Sequence, residues 1–404
     1  MFKQWIHSTH SISRLALTSS RLSAAELLSS ARAKTGLHDF GPEPIEDALD
    51  QLQTAVYEEA DLSLFGRIST HWDTLRLLTN LLILRDKELA DPRILERPVT
   101  QPVFVLGMPR SGSSFLHSLL AEDDASFAPR CWQAIYPYPD HPAAGRRAGP
   151  RKVQRQFDFF HHLAPDLRNV HPFDALTPQE CTEFTAHSFR SLRFETIYHV
   201  PSYKHWVQQA GHVQGYRTHR RFLQHLQGPR ATRCVLKCPD HVFAMEALRE
   251  VYPDARVIFT HRDPLKVLPS VARLTEVLRK PFARHIDKDA IGQQVSSDWA
   301  NGAQQIIAAD ARGLWPDEHV FHVHYKALTA APLDTIRQIY DHFGLEFTEP
   351  FRNRLQEQIA RKPTGGYGKN VYRFADFGLS AEEERERYRD YMTHFDVAEE
   401  VAVQ

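Results

Sequence analysis

The residues of this chain best suited to chemistry begin near position 107. The stretch Pro102-Val-Phe-Val-Leu-Gly107-Met-Pro-Arg110-Ser-Gly112-Ser-Ser-Phe-Leu predicts a buried strand, a glycine-bounded loop and the first turn of a helix. Loop amides and a helix N-terminus converge on an anion in such a layout, so the segment predicts a phosphate cradle. A nucleotide hydrolase would carry lysine directly after Gly112, where this chain has Ser113. The cation is Arg110 instead, inside the loop.

A second charged turn follows the apolar run Val257 to Thr260. Arg262 comes at the predicted strand end, Pro264 near the start of the next helix, and Ser270 eight residues after Arg262. A guanidinium and a hydroxyl on two sides of a turn suit a terminal phosphate monoester. Taken alone, the segment also fits a surface arginine and an ordinary helix serine.

A third strand-to-helix junction carries a cation and a histidine. Lys237 ends the run Val235 to Lys237, and Asp240 and His241 follow it. Histidine titrates near neutral pH, with an ordinary pKa of about 6.5, so His241 suits a proton acceptor. Asp240 is a candidate N-cap, and His241 itself also fits a capping or nucleotide-contacting role.

The elements that position these residues alternate between β-rich and helical patterns. The pairs are Val103–Leu106 with Phe115–Ala121, Cys234–Leu236 with Val242–Val251, Val257–Thr260 with Lys266–Leu278, and Val320–Val323 with Pro332–Phe343. Such alternation predicts an α/β fold: a P-loop-like parallel sheet flanked by helices. Ligands of these sheets bind beyond the carboxyl ends of the strands, where all three motifs lie.

Two other regions are predicted to be helical. Residues 1–97 form an N-terminal helical lobe packing on the core, in which Gly66 is predicted to interrupt a helix between Leu62 and Leu89. Residues 98–404 form the α/β domain, and residues 129–230 within it form a mostly helical insertion that shapes an acceptor site. The charged run from Glu382 predicts a solvated helix.

The overall composition narrows the class of protein. The 404 residues are 42% hydrophobic and 25% charged with a net charge of −1, which is typical of a globular protein and not of a nucleic-acid binder. The four cysteines match no metal or disulfide pattern and are expected to be small buried hydrophobes. No secretory signal or transmembrane segment is predicted, so we expect a cytoplasmic protein. Oligomeric state is not readable from the sequence.

Together, the first two motifs resemble the sulfotransferase superfamily, which uses 3′-phosphoadenosine 5′-phosphosulfate (PAPS). The G-x-P-R-[ST]-G-[ST]-[ST] loop and the run Asp61-Leu-Ser-Leu-Phe-Gly66-Arg67 are most similar to the bacterial-type branch. The resemblance implies that the first loop binds the 5′-phosphosulfate and the second motif the 3′-phosphate. These roles fall on Arg110, Ser111, Gly112, Ser113, Ser114, Arg262 and Ser270.

The resemblance also assigns roles near the sulfur. Lys237 would approach the sulfuryl group with Arg110, and His241 would take the acceptor proton. Some branches use a glutamate as the base, and Glu180 in the insertion is the alternative. A late basic loop often closes over the donor in this family. Arg361 and Lys362 fit that loop loosely, because proline replaces the glycine of the family's Arg-Lys-Gly triplet.

The sequence therefore predicts a PAPS-dependent sulfotransferase that needs no metal. Its acceptor would be a hydroxylated small molecule, and aromatic runs in the insertion favour an apolar or lipid-like alcohol or phenol. Two alternatives stay open at this point. One is a degenerate P-loop nucleotide kinase or NTPase, and the other is a non-catalytic nucleotide-binding protein of the same fold.

Overall fold

The computed structural model describes residues 21–145, 149–170, 172–227, 233–361 and 373–400. These residues contain one five-stranded parallel sheet, whose strands are β1 Val103–Gly107, β2 Ser126–Phe127, β3 Arg233–Lys237, β4 Arg256–His261 and β5 Val320–His324. The strand order is β2-β3-β1-β4-β5, and every neighbouring pair is parallel. The predicted parallel sheet is confirmed; β2, of two residues, was not predicted.

Helices account for most of the other described residues. In chain order they are α1 Ala24–Thr35, α2 Glu46–Glu58, α3 Leu64–Ala90, α4 Ser113–Leu120, α5 Cys131–Ile135, α6 Pro150–Leu163, α7 Leu167–Val170, α8 Thr182–Thr185, α9 Arg193–Ile197, α10 Pro201–Ala210, α11 Val213–Leu226, α12 Met245–Val251, α13 Pro264–Arg279, α14 Lys288–Ala311, α15 Tyr325–Ala330, α16 Pro332–His342, α17 Glu349–Arg361, α18 Ala381–Arg387 and α19 Arg389–His394. None of them is both long and apolar enough to cross a membrane.

Helices cover both faces of the sheet, as its apolar strands require. Successive residues of β1 point to opposite faces. Phe104 packs in one core with residues of α12 and α14, and Val105 packs in another with residues of α4 and α16. All five residues of β1 are buried, which explains the uninterrupted apolar run in the sequence.

The N-terminal helices and the helices of residues 129–230 share one hydrophobic core. Leu49 of α2 and Leu78 of α3 belong to the same buried cluster as Phe184, Tyr203 and Phe222. The N-terminal helical segment therefore packs against the helices that follow residue 129. These two groups of helices lie next to the sheet. The domain boundary between residues 97 and 98 stays a prediction.

Gly66 does not interrupt a helix, contrary to the sequence-based expectation. It lies in the first turn of α3, where the Ser63 hydroxyl accepts a hydrogen bond from its amide at 3.0 Å. A Cβ at this position would lie 2.2 Å from the Phe282 carbonyl oxygen. The glycine therefore allows a close approach of two backbones, and the helix continues through it.

The cysteines, the charged C-terminal run and one long helix complete the comparison of the structure with the sequence-based predictions. All four cysteines are buried and unpaired, as expected. The charged C-terminal run forms two short helices, α18 and α19, and Glu384 of α18 is buried, accepting a hydrogen bond from the Ser296 hydroxyl at 2.7 Å. Most of the other charged residues of this run are exposed, as expected of a solvated segment. The 24-residue helix α14 was not predicted.

Candidate functional site

The loop between β1 and α4 has the backbone geometry of an anion cradle. Gly107 has a φ of +132°, and a Cβ there would lie 2.4 Å from the Thr260 carbonyl oxygen. Arg110 and Gly112 also have positive φ, of 64° and 90°, and Gly112 is the N-cap of α4. The chain thus turns sharply into the helix N-terminus, and Ser113 and Ser114 at that terminus line the adjoining cavity.

The Ser111 side chain anchors the loop to strand β4. Its hydroxyl donates to the Met108 carbonyl oxygen at 2.5 Å and lies 2.6 Å from the Thr260 hydroxyl on β4. Ser111 is fully buried and is not among the residues that line the cavity. Its hydroxyl therefore holds the loop against β4, and only its amide remains for an anion.

Arg110 joins the two predicted phosphate motifs. Its Nε donates to the Ser270 hydroxyl at 3.0 Å, and its Nη1 donates to the Val170 carbonyl oxygen at 2.9 Å. Arg262 Nη1 in turn donates to the Arg110 carbonyl oxygen at 2.9 Å. Residues separated by more than 150 positions thus lie together at the ends of β1 and β4. Their predicted role in donor binding stays a prediction.

Arg262 also contacts an aromatic ring and a carboxylate. Its guanidinium lies 3.9 Å from the centroid of the Tyr325 ring. Its Nε and Nη2 donate to the two carboxylate oxygens of Glu400, at 2.9 and 3.1 Å. The Glu400 amide donates to Asp263 at 2.7 Å, which fixes this C-terminal segment beside the motif. An anion that binds Arg262 therefore competes with Glu400.

Lys237 and Glu180 contact each other at the edge of the cavity. Lys237 is buried at the end of β3, and its Nζ donates to Glu180 Oε1. The Cys181 amide donates to the Lys237 carbonyl oxygen at 3.1 Å, so the backbone also holds the two segments together. The structure thus brings a predicted sulfuryl-binding cation to the alternative base, although Glu180 comes from the insertion.

The structure does not bring His241 into this site. The His241 ring is buried, its Nδ1 is hydrogen-bonded to the Tyr216 hydroxyl, and its centroid lies 5.1 Å from that of Phe104 in the core. Burial holds the pKa of His241 well below its usual value, so the ring stays neutral. The side chain belongs to the packing of the sheet, and it does not line the large cavity.

Asp240 lines that cavity in place of His241. It is not a helix N-cap: the 3-10 turn Pro239–Ala244 has Cys238 at its cap and no side-chain capping bond. Burial, together with the nearby Glu180 carboxylate, raises the pKa of Asp240 to about 7. The sequence shows that a carboxylate follows Lys237 but not where it points. In this turn the side chain of Asp240 faces the cavity and that of the next residue, His241, faces the core.

His117 is a second titratable group that sequence reasoning missed. It lies on α4, lines the cavity, and its Nε2 is 3.1 Å from the Val235 carbonyl oxygen on β3. Burial and the nearby Lys237 lower the pKa of His117 to about 4. A neutral imidazole that donates to β3 is a structural link, so Glu180 and Asp240 remain the candidates for a proton acceptor.

One open cavity of about 3050 Å³ connects the loop, Lys237, Glu180 and Asp240 with an apolar space, which we call the aromatic chamber. The loop residues, Lys237 and Glu180 line it on the side of the sheet. The N-terminal segment, the insertion and the turn that follows α13 supply a set of aromatic side chains on the other side, namely Phe65, Trp72, Trp132, Phe157, Phe159, Phe160, Phe173, Tyr198 and Phe282. A site of this kind suits a polar donor and an apolar acceptor.

A buried charge network closes one part of the chamber wall. Arg76 donates to Asp73 at 2.7 Å and to Glu183 at 2.6 Å, and Arg193 donates to Asp73 at 2.7 Å. Burial opposes ionisation of Asp73, but Arg193 and Arg76 hold its pKa below the usual value. The network joins α3, α8 and α9, so it fixes the chamber wall.

The late basic loop is described only in part. Arg361, the last residue of α17, lines the cavity, is exposed, and pairs with Glu357 at 3.3 Å. Lys362 lies outside the described residues. Among those that are described, no group of three or more His, Cys, Asp or Glu side chains is arranged to hold a metal ion.

Comparison with known proteins identifies the family. A model described as "Sulfotransferase family" matches residues 102–349, which include the loop, Glu180, Lys237 and Arg262. The chain belongs to the sulfotransferase family. It is therefore a sulfotransferase enzyme, as the resemblance of its motifs indicated.

Solved structures and curated relatives agree with this assignment. Sulfotransferase STF1 from Mycobacterium tuberculosis H37Rv is 30% identical, with a TM-score of 0.79 over 92% of this chain and 99% of that one. STF9 from Mycobacterium avium is 26% identical, with a TM-score of 0.82 over 93% and 97%. The omega-hydroxy-beta-dihydromenaquinone-9 sulfotransferase Stf3 of M. tuberculosis is 25% identical over 71% of this chain and 74% of its own.

Proposed function

We propose that this sulfotransferase moves a sulfuryl group from PAPS to the hydroxyl of an apolar, lipid-like alcohol or phenol. The observation that carries the proposal is the contact of Lys237 with Glu180 in a cavity that is shared by the anion loop and the aromatic chamber. Cations for the donor, a base for the acceptor proton and an apolar wall for the acceptor body thus surround one space.

The donor is expected to lie across the ends of β1 and β4. Its 5′-phosphosulfate would bind to the loop amides, to the hydroxyls of Ser113 and Ser114, and to Arg110. Its 3′-phosphate would bind to Arg262 and Ser270, both of which are hydrogen-bonded to Arg110. A bidentate guanidinium suits a terminal phosphate, and adenosine triphosphate has none at the 3′ position.

The proposed reaction is an in-line displacement at sulfur. The acceptor oxygen forms a bond to sulfur, the bond from sulfur to the 5′-phosphate oxygen breaks, and Glu180 takes the acceptor proton. Lys237, Arg110 and the loop amides stabilise the charge on the transferred group and on the leaving phosphate. The products are a sulfate ester and adenosine 3′,5′-bisphosphate (PAP).

The aromatic chamber supports an apolar acceptor. Four charged groups of its wall, Asp73, Arg76, Glu183 and Arg193, pair with one another and so offer no unpaired charge to an acceptor. The relative Stf3 is named for a hydroxylated menaquinone, an apolar molecule with a hydroxyl. A small aromatic or isoprenoid alcohol fits this chamber better than a polysaccharide, which would need an open polar groove.

Calorimetry and an acceptor screen test the proposal. PAP should bind the full chain more tightly than ATP, and bisphosphate release from PAPS should accelerate with long-chain or aromatic alcohols but not with sugars. Tighter binding of ATP than of PAP would favour the degenerate kinase instead. PAP binding without turnover on any hydroxyl compound would favour the non-catalytic alternative.

A further inference from the structure

Several apolar side chains stay exposed at one rim of the cavity. Leu64 is 49%, Phe159 37% and Leu163 39% exposed. The ring centroids of Phe65 and Phe159 are 6.2 Å apart, and both residues line the cavity. Leu64 precedes Phe65, and Leu163 lies one helical turn after Phe159. These four residues, which we call the rim patch, extend the aromatic chamber onto the surface.

The helix that supplies half of this rim patch is basic and amphipathic. Along α6 the residues Arg151, Arg155, Phe159 and Leu163 recur every four positions, and all are exposed. A ridge of this spacing carries positive charge at one end and apolar groups at the other. The exposed carboxylate of α6, Asp158, accepts a hydrogen bond from Gln154 at 2.9 Å.

The charges around the rest of the rim have the same sign. Arg67 is exposed one turn after Leu64 on α3, and Lys280 is exposed near the Phe282 ring that stacks on Phe65. Two further carboxylates close in sequence to the rim patch have basic partners: Asp61 pairs with Arg284 and His285, and Asp166 pairs with Arg273. The excess charge beside the rim patch is therefore positive.

We propose that the rim patch docks the protein on an anionic lipid bilayer, from which the acceptor enters the chamber. Basic helices with exposed phenylalanine and leucine lie in the headgroup region of such bilayers. The inference deepens the proposed function, since an acceptor too apolar for water must reach the chamber from a lipid phase. Charge complementarity and the continuity of the rim patch with the chamber favour a bilayer over other partners.

Vesicle flotation of the full chain tests the docking surface. We expect binding to phosphatidylglycerol vesicles, weaker binding to phosphatidylcholine vesicles, and release at about 0.5 M salt because salt screens the attraction. The double variant L64S/L163S should bind at least about tenfold more weakly, because it removes two apolar anchors. Neither leucine lines the cavity. Wild-type protein that stays unbound, or a double variant that binds equally well, would overturn the inference.

A matched control uses two exposed leucines elsewhere on the surface. Leu89 is 61% and Leu95 40% exposed. The variant L89S/L95S should bind vesicles like the wild type, and equal losses in both double variants would contradict the assignment to the rim. Light scattering distinguishes a second copy: a wild-type dimer that becomes monomeric in L64S/L163S would assign the rim patch to self-association and overturn bilayer docking.

PAP titration separates this inference from the proposed function. PAP binding and PAPS turnover without vesicle binding would overturn the docking surface alone. Vesicle binding without PAP binding would support the docking surface and contradict the proposed donor. Circular dichroism of each variant checks that the helices are retained.

Discussion

The two sides of the cavity are built in different ways. The side next to the sheet consists of short segments that follow β1, β3 and β4, and its polar groups are held by hydrogen bonds between those segments. The opposite side is built mainly by the N-terminal segment and the insertion, which pack through a shared hydrophobic core and supply most of the aromatic side chains of the cavity.

Under the proposed function, the side next to the sheet carries the chemistry and the opposite side recognises the acceptor. Polar groups on adjacent parallel strands have little freedom to move, because the ladder fixes where each strand ends. Helices that pack through side chains tolerate substitution more easily, provided that volume is conserved. Substitutions on the sheet side should therefore change turnover or donor binding, and substitutions in the aromatic wall should change which acceptor is used.

The largest effect is expected for Lys237→Ala. Removal of the cation that we propose to stabilise the transferring group should lower kcat by about 10²- to 10³-fold. PAP affinity measured by calorimetry should change much less, because Arg110 and Arg262 remain. Steady-state kinetics with PAPS provide the measurement. An equal loss of PAP affinity and turnover would place Lys237 in donor binding and weaken the contrast between the two sides.

The next largest effect distinguishes Glu180 from His241, the two bases that the sequence analysis considered. Glu180→Gln keeps an oxygen for Lys237 but cannot accept a proton, so kcat should fall by about a hundredfold or more. His241→Gln should leave kcat within about threefold and lower the thermal midpoint instead, because the ring is buried in the core. A large kcat loss in His241→Gln with normal stability would restore the histidine as base.

Donor binding should respond in opposite directions to Arg262→Ala and Glu400→Gln. Loss of the guanidinium should weaken PAP binding by about tenfold or more, since charge-assisted hydrogen bonds are lost. Loss of the Glu400 charge should tighten PAP binding by about two- to fivefold, because the neutral side chain competes less for Arg262. Calorimetry at low salt measures both. Weaker binding in Glu400→Gln would mean that the glutamate supports the site.

The smallest effect concerns pH and stability. The pKa of Asp240 is raised from 3.8 to about 7 in the folded protein. Between these two pH values the folded protein keeps the proton on Asp240, whereas the unfolded chain releases it. The stability that this proton represents is lost as pH rises through that window. Asp240→Asn should therefore raise the thermal midpoint at about pH 8 and change it little near about pH 4. If the thermal midpoints of the wild type and Asp240→Asn differed most at low pH, the pKa of Asp240 would be lowered in the folded protein and not raised.

The prediction from sequence was accurate where one segment contains the whole signal. The loop from Gly107 to Ser114 combines a buried strand, two glycines and a helix start, and all three are present in the structure. The parallel sheet followed from alternating patterns. Gly66 was misread, because a glycine that permits close backbone contact looks like one that ends a helix until its neighbour Phe282 is known.

The base could not be chosen from the sequence. His241 has the expected spacing from Lys237, but a 3-10 turn rotates its ring into the core and leaves Asp240 facing the cavity. Glu180 lies 57 residues before Lys237, and no local pattern signals their contact. Glu400 and Tyr325 beside Arg262 were missed for the same reason.

The amino-acid sequence by itself determined the family, the parallel sheet and the glycine-bounded loop between β1 and α4, because each depends on short-range patterns of burial, glycine and charge. Only the tertiary structure decided which acidic group meets Lys237, which aromatic side chains line the chamber and where the apolar rim opens. Those features depend on the packing of distant helices, and packing is a property of the whole chain.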